Sequence, residues 1–252
     1  MPEKILVIGD VHGNFNYLIN YIDESIKSNG EFKYIIQLGD FGYWPNLSPA
    51  FHNNITYKEK IKKLKSYFED KNHKLLWIDG NHEDHSILQN KNINFNKSEH
   101  NIFGKNIIYQ KRGSYIELED KILFFIGGAY SIDKNYRTES IDWFKEEEVT
   151  YDQSYEILCT VDKLKKIKKE KILFTHTVPY NEKLDYELKE YKEGMTYQNK
   201  FLFEVLKELK PEKWFHGHYH LDKEYTIKKY KTIFYSLDLV DKFYFGNKIL
   251  EI

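Results

Sequence analysis

Asp10 and His12 stand two residues apart in the stretch Gly9-Asp10-Val11-His12-Gly13-Asn14. In extended backbone that spacing turns a carboxylate and an imidazole to one side and Val11 to the other. A carboxylate oxygen beside an imidazole nitrogen suits a divalent metal of intermediate softness. Four other places carry groups of the same kind: Asp40, Asn81 with His82, His176, and His218 with His220. Taken singly, none demands a metal. Asp40 can merely end a strand, Asn81 can supply a left-handed turn, and His176 can be a satisfied core histidine. Their recurrence carries the weight.

Each of these groups follows an apolar run, and short apolar runs bounded by turn residues read as buried strands. Ile5 to Ile8 leads to Asp10, and Tyr34 to Leu38 leads to Gly39-Asp40. Leu75 to Ile78 leads to Asp79-Gly80-Asn81-His82-Glu83, and Ile172 to Thr175 leads to His176. Trp214-Phe215 leads to His216-Gly217-His218-Tyr219-His220. In open α/β sheets, sites form outside the carboxyl ends of the strands. Further strands are expected at Ile107 to Tyr109, Tyr115 to Leu118 and Ile122 to Ile126. The tail alternates over Tyr225 to Ile227, Ile233 to Ser236 and Phe243 to Phe245, which predicts antiparallel strands. Helical spacing marks Tyr17 to Ile26, ended by Asn29-Gly30, then about Tyr57 to Phe68, Ser154 to Lys168 and Phe201 to Leu209. Asn90 to Asn106 reads as an irregular excursion. The charged segment from Asn181 to Gly194 reads as a lid or insertion within one α/β domain spanning 1–252.

The series Gly9-Asp10-Val11-His12-Gly13, Gly39-Asp40, Gly80-Asn81-His82-Glu83, Thr175-His176 and Gly217-His218-Tyr219-His220 resembles the calcineurin-like metallophosphoesterase family. All five motifs of that family stand in order over roughly residues 5 to 220. The resemblance implies a four-layer α/β/β/α sandwich and a phosphoric ester hydrolase with two divalent ions. Asp10, His12, Asp40 and His220 would hold the first ion. Asp40, Asn81, His176 and His218 would hold the second, with Asp40 bridging. Oxygen and imidazole donors without thiolate suit Mn²⁺, Fe, Zn²⁺ or Ni²⁺, with Mn²⁺ the ion to try first in vitro. Such a pair, about 3.5–4 Å apart, can share a hydroxide that attacks phosphorus in line. In the family the residue at His82 is not a ligand but lies near the leaving oxygen, as general acid or transition-state stabiliser. His82 and Asp40 are thus the expected catalytic pair.

Departures from the family narrow the branch. The Ser/Thr phosphoprotein phosphatases carry an Asp-Arg pair where this chain has Tyr43 and Trp44, so that branch is disfavoured. Trp44 either stacks on a flat substrate group, worth ~1–3 kcal/mol for a nucleic-acid base, or caps the core. Gly127 to Arg137, with its paired glycines, is the second distinctive stretch and is similar to bacterial and phage members. The only arginines are Arg112 and Arg137. Arg137 is the candidate phosphate clamp, because a planar guanidinium matches phosphate oxygens; its alternative is a salt bridge to a nearby acid. Arg112 reads as structural. Asn81 is both a ligand and a substrate-side group. His52, His73 and His100 read as exposed, His85 as an ordinary histidine ahead of the alternative of a support behind the third motif, and His216 as packed beneath the site.

The chain has 252 residues and a formal net charge of −1, which offers no global attraction to nucleic acid or an anionic membrane. A nuclease using the same metals stays open as the alternative, and a non-catalytic scaffold as the less favoured one. No apolar run is long enough to span a bilayer. The early first strand leaves no room for a secretory signal, so the cytoplasm is the expected compartment. The single cysteine, Cys159, excludes an internal disulfide and reads as core. The lysines from Lys163 to Lys171 read as one solvated helical face.

Overall fold

The computed structural model of the chain describes residues 3–45, 54–69, 71, 73–180, 196–227, 229–240 and 247–251. The expected lid from Asn181 to Gly194, the strand expected at Phe243 to Phe245, and His52 lie outside the described residues.

Two sheets form the centre. The first has the order β11 (Asn247–Glu251), β1 (Lys4–Ile8), β2 (Tyr34–Gln37), β3 (Lys74–Trp77), β4 (Ile107–Tyr109). β1 to β4 run parallel, and β11 runs antiparallel beside β1. The second begins with β5 (Ser114–Glu117), β6 (Lys121–Ile126), β7 (Glu170–Thr175) and β8 (Lys213–His216). It ends with β10 (Thr232–Ser236) and β9 (Lys223–Ile227). Its four inner strands are parallel, with β5 and β9 antiparallel at the edges.

Alternation along each strand decides what lies between the sheets. Ile5, Val7, Ile36, Leu38, Leu76 and Ile78 face inward from the first sheet. Leu123, Phe125, Ile172, Phe174 and Phe215 meet them from the second. Register places Phe125 opposite Phe174 and Phe174 opposite Phe215, so their rings stack at 5.3 Å centroid spacing. The intervening residues face outward and take helices. Leu6, Ile8, Ile35, Leu75 and Trp77 pack against α1 (Phe15–Asn29) and α2 (Asn54–Glu69). Ile122, Phe124, Leu173 and Trp214 pack against α4 (Tyr151–Leu164) and α5 (Tyr197–Leu209). A single turn, α3 (His85–Leu88), follows the third motif. The result is the expected four-layer α/β/β/α sandwich, a single α/β domain.

Some expectations are corrected. α4 starts at Tyr151 rather than Ser154, because Thr150 and Gln153 form a capping box. It ends at Leu164, so the lysines up to Lys171 straddle a turn and the start of β7 instead of lining one helical face. Of the tail strands, β9 is antiparallel to β10, but β10 lies parallel to β8. His73 is only 2% exposed, edge-on to Phe68 at 5.6 Å, not a solvated loop residue. His100 and Cys159 are half-buried.

Candidate metal centre

Parallel strands end on one side, so β1, β2 and β3 deliver their loops beside those of β7 and β8. Backbone hydrogen bonds knit the loops together. Val11 and His12 donate their N–H groups to Asp40 O at 3.1 and 2.7 Å. Gly217 N donates to His176 O at 3.1 Å, and Val240 N to Asp10 O at 2.7 Å. Glu83, fully buried, ties the second and third motifs by accepting from Gly42 N at 3.0 Å and Gly80 N at 2.6 Å. Burial and the Asp40 charge push its carboxyl up to about 8, against those two hydrogen bonds. Sequence reasoning gave Glu83 no role beyond its place in the motif.

Among the described residues, two groups that could hold a metal ion result: Asp10, His12 and His220, and Asp40, His176 and His218, the atoms of each within 4.8 Å of one another. His220 Nε2 lies 3.1 Å from Asp10 Oδ2 and 3.3 Å from His12 Nε2. His176 Nε2 lies 3.3 Å from Asp40 Oδ1 and 3.2 Å from Asn81 Oδ1. Its Nδ1 is 2.7 Å from Leu38 O, which can only accept, so Nδ1 carries the proton and Nε2 faces the cluster. Asp10 Oδ1 accepts from His218 N at 3.1 Å, and Asp40 Oδ1 from His82 N at 2.8 Å.

The backbone is unusual here. His12, Asp40, His218 and His220 have φ of 47°, 51°, 70° and 48°, the left-handed region that non-glycine residues rarely occupy. Such conformations cluster at functional sites, where the surrounding structure holds them. A Cβ on Gly80 would strike the Asp40 carboxylate, and one on Gly217 the Asp10 carboxylate. The glycines of the motifs thus make room for the two acids.

Charge is concentrated and buried. Burial opposes a charge on His176, but the neighbouring Asp40 and Asp10 carboxylates outweigh it and raise the imidazole to about 10. Burial likewise works against the Asp40 carboxylate, yet His176 and His82 hold it well below the usual range. The convergence of two carboxylates and several imidazole nitrogens, with no lysine or arginine among those ligand atoms, is a donor set that fits divalent cations.

Among the other candidates, Arg137 both forms the salt bridge and reaches the site. Its Nη2 lies 2.7 Å from Asp133 Oδ2 and 3.0 Å from His82 Nε2. The His82 ring stands edge-on to His12 at 5.2 Å. Tyr43 is fully buried, while half-buried Trp44 packs against Phe144 at 6.2 Å. Arg112 is structural as expected, gripping buried Asp79 through Nε at 2.9 Å and Nη2 at 2.6 Å. His85 lies 3.7 Å from Asp79, and His216 meets Tyr225 OH at 2.9 Å.

A family model described as calcineurin-like phosphoesterase matches residues 3–222. The chain belongs to that family. This phosphoesterase is therefore a hydrolase of phosphate esters, from a family that uses divalent metals. The protein TT1561 of Thermus thermophilus is similar in fold, at 10% identity and TM-score 0.55, covering 100% of this chain and 99% of that one. A putative 5'-nucleotidase from Staphylococcus aureus follows, at 14% identity and TM-score 0.57, covering 100% and 54%. GAP50, the anchor in the inner membrane complex of Plasmodium, is 14% identical with TM-score 0.56, covering 98% and 80%. At such identities the likeness concerns the fold. No curated protein matches the phosphoesterase by sequence. No helix among the described residues is long and apolar enough to cross a membrane.

Proposed function

We propose that the chain is a dinuclear metal-dependent phosphoesterase. One observation carries this reading: Asp40 presents Oδ1 3.3 Å from His176 Nε2 and Oδ2 3.7 Å from His12 Nε2, one oxygen toward each group. Asp10, His12, Asp40 and His220 would hold one ion, and Asp40, Asn81, His176 and His218 the other. When bound, two such ions would acidify a water and neutralise the phosphoryl oxygens during in-line displacement. Mn²⁺ is the first ion to test, with Fe²⁺, Zn²⁺ and Ni²⁺ equally suited by donor type.

The protein's own groups do the rest. Asn81 offers a neutral oxygen and so adds no charge beside an anionic substrate. His82 is fixed by its backbone bond to Asp40 and by Arg137 at its ring nitrogen. Together, His82 and Arg137 would meet the leaving oxygen and one phosphoryl oxygen. Trp44, tilted against Phe144, would bound a flat substituent. The cytoplasm is the compartment assigned to it by default.

The test is turnover of p-nitrophenyl phosphate beside bis-p-nitrophenyl phosphate, on metal-free protein refilled with each of the four ions. Activity that appears only on refilling supports the proposal. Faster diester cleavage assigns a nucleotide-like phosphodiester and directs attention to Trp44. Faster monoester cleavage assigns a phosphatase that uses Arg137 as its clamp. Silence with every ion overturns it.

A further inference from the structure

An asparagine ligand raises a question that an aspartate does not: only one end of its amide can bind a cation. In this chain the choice is forced from behind. Asn81 Nδ2 donates to Ser131 Oγ at 3.0 Å. Ser131 Oγ donates in turn to Glu147 Oε2 at 2.5 Å, and Ser131 N to Glu147 Oε1 at 2.8 Å. All three residues are buried, Ser131 at 1% and Glu147 at 2% exposure. A carboxylate can only accept, so the single hydroxyl proton of Ser131 goes to Glu147. Only lone pairs then remain for Asn81, and only its NH₂ end can satisfy them. The oxygen is left pointing at the cluster, 3.2 Å from His176 Nε2.

Glu147 is itself anchored. Arg112 donates to the carbonyl oxygens of Glu146, Glu147 and Glu148 at 3.0, 2.7 and 2.8 Å. Its other face grips Asp79, two residues before Asn81, at 2.6 and 2.9 Å. The chain of contacts therefore closes on itself, from Asp79 through Arg112, Glu147 and Ser131 back to Asn81. It joins the loop after β3 to the loops after β6 and before α4.

We propose that Ser131 and Glu147 are positioning residues which lock the Asn81 amide with its oxygen toward the second metal group. This rests on the reading of Asn81 as a ligand. Ser131→Ala removes the acceptor. Glu147→Gln keeps the shape but replaces one accepting oxygen by an N–H donor, so the Ser131 hydroxyl no longer has to turn that way. Either change lets the amide rotate.

Equilibrium dialysis against Mn²⁺, with metal counted by mass spectrometry and the Tm of each protein recorded, provides the test. The wild-type chain should bind two equivalents. Ser131→Ala and Glu147→Gln should keep one at wild-type affinity and hold the other about 10- to 100-fold more weakly, the usual cost of losing a group behind a ligand. Ser131→Thr, which retains the hydroxyl, should restore it. Wild-type binding of both equivalents by Ser131→Ala and Glu147→Gln overturns the proposal, as does equal weakening of both sites together with a lowered Tm. Fewer than two equivalents on the wild-type chain overturns the two-metal reading itself.

Discussion

Arg137 Nη2 lies 3.0 Å from Nε2 of His82. A guanidinium only donates, so Nε2 accepts and the imidazole proton resides on Nδ1. Burial lowers His82 to about 4, opposed by Asp40 and reinforced by Arg137. In this arrangement His82 steers the guanidinium, and Arg137 supplies the N–H donors. Loss of a single preorganised donor costs ~10²–10³ in kcat, so Arg137→Ala should slow turnover of a p-nitrophenyl ester by about that factor without loss of metal. Unchanged kcat removes Arg137 from the chemistry.

Asp40 and His82 should separate cleanly. Asp40 faces both groups, so Asp40→Asn should bind neither ion tightly and show no turnover. His82 offers only its backbone N–H to Asp40, so His82→Asn should retain both ions while phosphoryl transfer slows. Metal counting beside steady-state kinetics distinguishes the two, and metal loss in His82→Asn would make His82 structural.

Metal uptake should release protons. In the metal-free protein the carboxylates raise His176 to about 10, so at neutral pH a cation must displace its proton. Apparent affinity should therefore climb with pH, by about tenfold per unit for each proton displaced. Calorimetry of Mn²⁺ binding in buffers of different ionisation enthalpy reads the proton count directly. A count of zero contradicts the charged His176.

Acid should destabilise the metal-free fold through two buried neutral histidines. Burial holds His85 and His216 at about 3 each, against an ordinary 6.5. Both folded values are depressed, so the stability they contribute is present above pH 6.5 and lost as pH falls toward 3. Each contributes a slope of about 1.4 kcal/mol per pH unit within that window. Urea midpoints taken in chelator across this range should fall with pH, and His85→Phe should flatten the fall.

Arg112 carries stability. Its side chain is 2% exposed and pairs with Asp79, which is wholly buried. Removing one partner of such a pair costs ~3–5 kcal/mol, so Arg112→Met should lower the unfolding free energy by about that amount in denaturant titrations. A near-wild-type midpoint would mean that Asp79 finds other donors.

Much was legible in the order of residues alone. A strand that ends in glycine and an acid or a histidine states both its own element and the place of those groups at its carboxyl end, because burial demands the apolar run and the turn demands the glycine. Asp10, Asp40, Asn81, His176 and His218 were readable on those local grounds, and the family motifs supplied their order. The helices also followed from spacing, although the lysine face expected as far as Lys171 did not.

Tertiary structure decided whatever depends on who meets whom across the fold. Nothing local tells that Arg137 reaches His82, 55 residues away, or that Glu147 stands behind Ser131 and so behind Asn81. Glu147 lies in the acidic run Glu146-Glu147-Glu148, which in sequence resembles a solvated patch. His73 misled for the same reason, since a polar neighbourhood along the chain does not show that Phe68 closes over it. Sequence specifies the side chains and the local period of burial; the desolvation and pairing of a charge are properties of the packed layers around it.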